Sequence, residues 1–178
     1  MIKTKRSGLC RYLEITIASG FCAAVLNAAT AVAAPIDMTV DRLLTICESQ
    51  TVQAAQGKGE ELGWQRLTDA EIEEWRTHFF SQNIAMVEIV GWRCEKNGKP
   101  ESLSFWATKD QNQYRTCLYS TKKSVGLLDG LSERLGTPDK LDRNDATDNT
   151  TAWWIRDPLE YSLVQVGAAA IVTISSKR

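Results

Sequence analysis

Cysteine and histidine are the residues here that could do nucleophilic chemistry. The 178-residue sequence holds five cysteines and a single histidine. His78 beside Cys117 or Cys94 would make a small thiol enzyme, with the imidazole drawing the thiol proton. No third group that would orient such a base can be identified, and His78 sits between Trp75 and Phe79 on an amphipathic stretch. One imidazole cannot build a histidine-based metal cluster. Asp142, Asp145 and Asp148 recur every third residue, but calcium loops space ligands more tightly, need a turn glycine and close on a glutamate. That run reads as a solvated loop. Glu71, Glu73 and Glu74 read as first-turn acids complementing a helix dipole. No G-x-S-x-G, phosphate loop or dinucleotide fingerprint occurs, so no catalytic residue, metal ligand or cofactor is expected.

The first 34 residues differ from the rest. Lys3, Lys5, Arg6 and Arg11 are followed by an uncharged run from Ile15 to Val32, ending in Ala31-Val32-Ala33-Ala34-Pro35. A basic start, an apolar middle and an Ala-x-Ala end are the parts of a secretory signal peptide. Residues 1–33 are read as that signal, cleaved after Ala33 or Ala34, and residues 34–178 as one periplasmic or secreted domain. Residues 1–33 hold four of the 21 bases and one of the 22 acids, so residues 34–178 carry a net charge of −4. A chain of that size and sign buries one core unaided and offers no basic face to nucleic acid. No later apolar run is long enough for a transmembrane helix.

Hydrophobic spacing predicts a helix over 41–55, stopped by Gly57 and Gly59, and a second opened by the Thr68/Glu71 capping box. Strands are predicted over 83–95, 103–106 and 114–119. A helix over 124–135 follows, ended by Gly136 and Pro138. Lys140 to Asn149 is polar and reads as loop, and 151–156, 160–166 and 170–175 are strand-like. The fold class is α+β, in the order α-α-β-β-β-α-β-β-β, an antiparallel sheet with helices packed on one face.

Strand register then ranks the cysteines left after cleavage, Cys47, Cys94 and Cys117. A first hairpin centred on Asn97-Gly98 sets Trp92 opposite Leu103 and Cys94 opposite Glu101. A second, centred on Asp110-Gln111, sets Leu103 opposite Leu118 and Ser104 opposite Cys117. Cys94 then shares the apolar face with Trp92 while Cys117 falls on the other. Cys47 lies on the apolar stripe of the first helix, which gives a Cys47–Cys94 bridge with Cys117 unpaired. Six tryptophans are the other unusual feature. Adjacent Trp153 and Trp154 must point to opposite faces of one strand. With Trp106 they are the candidate contact surface, since a surface tryptophan suits a protein or glycan contact.

Leu135-Gly136-Thr137-Pro138, then Trp153-Trp154, then apolar strands ending at Ile174 resemble one half of the small periplasmic fold of β-lactamase inhibitor proteins and outer-membrane assembly lipoproteins. The resemblance spans 129–175, and this chain lacks the lipidated cysteine of the lipoproteins. It implies a binding module. The function expected is a non-enzymatic exported binding protein, an inhibitor, immunity or envelope-assembly module, whose partner is another protein or an envelope component. A thiol enzyme and a purely structural envelope role are the alternatives.

Overall fold

A computed structural model describes residues 35–80, 87–109 and 114–176, with 78–80 described by their backbone alone. The signal-peptide segment therefore lies outside the described residues. These hold helices α1 (Val40–Cys47), α2 (Val52–Glu60), α3 (Asp69–Phe80) and α4 (Leu127–Leu135), and strands β1 (Gln65–Arg66), β2 (Val87–Lys96), β3 (Lys99–Thr108), β4 (Arg115–Thr121), β5 (Lys140–Asn144), β6 (Asn149–Arg156), β7 (Leu159–Val166) and β8 (Ala169–Ser176). All eight strands join one antiparallel sheet in the order β1-β2-β3-β4-β8-β7-β6-β5. No helix among the described residues is long and apolar enough to cross a membrane.

The mixed α+β class stands, but the element order differs in three places. The single helix expected over 41–55 is two. Thr51 caps the second by accepting from the Ala54 N–H at 3.1 Å, so the chain turns there and restarts. The second difference is β1, a two-residue strand paired with β2 between α2 and α3, where no strand was expected. Gly57 and Gly59, expected to stop a helix, lie inside α2. Gly59 is there because a Cβ at that position would lie 2.2 Å from the buried Trp92 ring. The third difference is the polar run at 140–149, which forms β5 and a short 3-10 turn rather than a loop. Its backbone pairs with β6, so burial is not needed to make it a strand. Its charged side chains suit an edge that must refuse further strands.

Nor do the helices all share one face. Side chains alternate along each strand, and the buried set is Val90 and Trp92, Leu103 and Phe105, Cys117 and Tyr119, Val172 and Ile174, Tyr161 and Leu163, Ala152 and Trp154. That set faces α1, α2 and α4, with Leu43, Ile46, Cys47, Ala55 and Leu131 completing the core. Helix α3 lies toward the other side, at the β2 margin. Leu67, just before it, fills the space beside Gly91, and Glu71 pairs with Arg93, both on the opposite phase from Trp92. The Thr68/Glu71 capping box forms as expected, with Thr68 N–H donating to Glu71 Oε2 at 2.8 Å.

Register decides the disulfide. The first hairpin turns at Asn97 and Gly98, both with positive φ, and pairs Trp92 with Leu103 and Cys94 with Glu101 as expected. The second is offset by one residue from the expectation: Leu103 pairs with Tyr119, and Phe105 with Cys117. One residue of slip moves every side chain of β4 to the other face. Cys117 is therefore buried beneath α1 and is bonded to Cys47, with 5.3 Å between their Cα atoms. The expected Cys47–Cys94 bridge is incorrect; among the described residues, Cys94 is the free cysteine.

Candidate binding surface

The face of the sheet turned away from α1, α2 and α4 is the feature that does not explain itself as core. Strand pairings lay its side chains out as a grid. One row runs Ser104, Leu118, Thr173, Ser162, Trp153 and Lys140 across β3, β4, β8, β7, β6 and β5. The next runs Ser102, Ser120, Ile171, Val164 and Thr151, and on the other side lie Trp106, Thr116, Ser175, Glu160 and Ile155. Trp153 is 38 % exposed and Ile155 54 %, and Val164, Val166 and Ile171 are exposed with them. Serine and threonine residues fill the spaces between, half-buried except Ser104, which is buried. Glu160 is the one charged side chain that β3, β4, β6, β7 and β8 put on this face, and β5 adds Lys140 and Asp142 at its edge.

The tryptophans expected to form a contact surface divide. Trp153 lies on the open face, with the Lys140 ammonium 5.3 Å from its ring centre. Trp106 is on the same face, half-buried, its indole N–H donating to Ser104 Oγ at 3.0 Å. Trp154 is not a surface residue: it is fully buried, and its indole N–H donates to the Gly136 carbonyl at 2.8 Å at the end of α4. The aliphatic members of the patch, Ile155, Val164, Val166 and Ile171, were not singled out from sequence. Their signal was present: β6, β7 and β8 carry apolar residues on both phases, which a half-solvated strand does not need.

The thiol chemistry fares differently at its two cysteines. Cys117 is buried and bonded to Cys47, so its sulfur is not available as a nucleophile. Cys94 lines a groove of about 1000 Å³ with Trp64, Leu67, Trp75, Arg93 and Glu101. His78 is on α3, and its side chain lies outside the described residues. Glu101 is buried and committed: it accepts from Tyr119 Oη at 2.6 Å and Lys123 Nζ at 2.9 Å. Burial, then the Glu101 carboxylate, pushes the Tyr119 phenol above its ordinary range, and the same carboxylate raises the Lys123 ammonium. A carboxylate with both oxygens occupied by buried or tethered donors ties β3 to β4 and the segment after it.

At the far edge, Asp142, Asp145 and Asp148 are exposed, and no three metal-ligating side chains gather among the described residues. The backbone carries the local order there: Asn144 Oδ1 accepts from Ala146 N–H, and Asp148 takes a left-handed conformation to enter β6. No protein-family model, no curated protein and no solved structure matches this chain.

Proposed function

We propose that this chain is an exported, non-enzymatic binding protein that makes its protein contacts through the open face of the sheet. One observation supports it above the others: strands β6, β7 and β8 present exposed Trp153, Ile155, Val164 and Ile171 side by side, with Glu160 the one charge among them and Lys140 and Asp142 only at the β5 edge. A sheet face turned to water is ordinarily polar, with the apolar side chains kept to the core face of each strand. An apolar face of this extent suits a contact surface. Export rests on the basic, apolar and Ala-x-Ala parts of residues 1–33. The Cys47–Cys117 bridge suits an oxidising compartment. The expected fold resemblance, an inhibitor or envelope-assembly module, is consistent with this reading and rests on the sequence of 129–175 alone.

The test places a photo-reactive amino acid at Thr173, at the centre of the face, and separately at Glu133 on exposed α4, in protein expressed from the full sequence in its own cells. Thr173 should yield discrete protein adducts and Glu133 none. Digestion of the same adducts should give an N-terminus at Ala34 or Pro35. Equal labelling from both positions, or an N-terminus that retains residues 1–33, would refute the reading.

A further inference from the structure

Building on that reading, we infer that the first partner of the open face is a second copy of this chain, docked sheet to sheet about a twofold axis. Three observations lead there.

The first is charge. Residues 34–178 carry a net charge of −4, so two copies repel wherever their acidic surfaces meet. The open face, with Glu160 near one end of β7 and the oppositely charged Lys140 and Asp142 at its β5 edge, is the approach that brings the least like charge together. Under a twofold, residues near the axis meet their own copies. Thr173 and Ser162, paired at the middle of the grid, both donate and accept, so each can bond its own kind. Ile171 and Val164 beside them pack on themselves without cost. A foreign partner is commonly selected by complementary charges, and the middle of this face, from Ser120 to Trp153, offers none.

The second is size. Five strands at ~4.8 Å spacing and about six residues of rise outline a face of roughly 24 by 20 Å. Side-chain relief brings that plan area toward the ~600–1000 Å² per partner that specific interfaces bury. Two twisted sheets meet face to face about 10 Å apart, their strands inclined by roughly 30°. The product has four layers, helices outside and two sheets within.

The third is what the edges refuse. Lys140, Asp142 and Arg143 charge the β5 edge, and at the other margin β1 is two residues long with α3 following it. Copies therefore do not extend the sheet edge to edge.

Sedimentation of protein expressed from the full sequence should give the mass of two mature chains at concentrations up to roughly 100 μM. Ile171→Glu should weaken the dimer at least tenfold, by placing two like charges in the contact. Val125→Glu, at a fully exposed position beside α4, should leave it unchanged. Far-ultraviolet dichroism reports whether Ile171→Glu still folds. As a measurement that needs no charged variant, a photo-reactive group at Thr173 should give an adduct of twice the chain mass. A monomer at the highest concentration, or a dimer indifferent to Ile171→Glu, overturns the inference. If the protein is monomeric while Thr173 captures a different protein, the self-partner fails and the protein-contact reading stands. If it is monomeric and Thr173 captures no protein, both fail.

Discussion

Breaking the Cys47–Cys117 link is the sharpest perturbation of this fold. The bridge joins residues 70 apart, linking α1 directly to the centre of the sheet. In the chain-entropy treatment, a closed loop of that length removes about 4 kcal/mol of freedom from the unfolded chain. A domain near this size has a total stability of about 7–15 kcal/mol, so the link accounts for a large share. At roughly 2–4 °C per kcal/mol, Cys47→Ala/Cys117→Ala should lower Tm by about 8–16 °C, more if the lost sulfurs leave voids. Reducing the wild-type protein opens the link without removing those sulfurs, so the two measurements bracket the cross-link's share. Cys94→Ser is the control: that thiol is unpaired and half-buried at the margin of the core, and its loss should cost about 1 kcal/mol. A thiol assay in denaturant should find one reactive group before reduction in the mature protein and three after it. The reasoning is refuted if Cys94→Ser destabilises as much as the double variant, or if peptide mapping links Cys94.

Two further outcomes follow from the packing and charges. Gly59→Ala should destabilise by about 1–3 kcal/mol, because its Cβ would collide with the enclosed Trp92 ring. Gly57→Ala in the same helix meets nothing within 4 Å and should stabilise by about 0.5–1 kcal/mol, both read by urea unfolding. The Asp139 carboxyl is held below its usual 3.8 by the Ile155 backbone N–H and then by the Arg156 guanidinium. A depressed folded-state value means the contribution is present above about pH 4 and lost as pH falls through it. Asp139→Asn should therefore be less stable at neutral pH, with the difference from wild type closing in pH-dependent denaturation as the pH falls below the usual carboxylate range.

The sequence alone was enough to place the elements that local chemistry specifies. Thr68 with Glu71 announced the start of α3, Asn97-Gly98 dictated both turn and register of the first hairpin, and Gly136 with Pro138 ended α4. Each is a signal read within a few residues, where backbone conformation and side-chain capping leave one answer. Adjacent Trp153 and Trp154 were bound to face opposite ways, which parity along a strand guarantees. What parity cannot say is which side the helices take. Only packing showed that Trp154 lies beneath α4 and Trp153 on the open face with Trp106, and added Ile155, Val164 and Ile171 to the patch.

Tertiary structure also settled the positions where local signal was weak or misleading. The turn between β3 and β4 carries no dipeptide as decisive as Asn-Gly, and a one-residue difference there reversed the faces of β4 and exchanged Cys94 for Cys117 in the bridge. Gly57 and Gly59 look like helix breakers until Trp92 is seen lying against the second of them. The polar run at 140–144 looks like loop until β6 supplies its hydrogen-bond partners. In each case the deciding energy comes from a residue tens of positions away or from a neighbouring strand. A pattern read along the chain fixes periodicity and turns, but which face is buried is fixed by what packs on it.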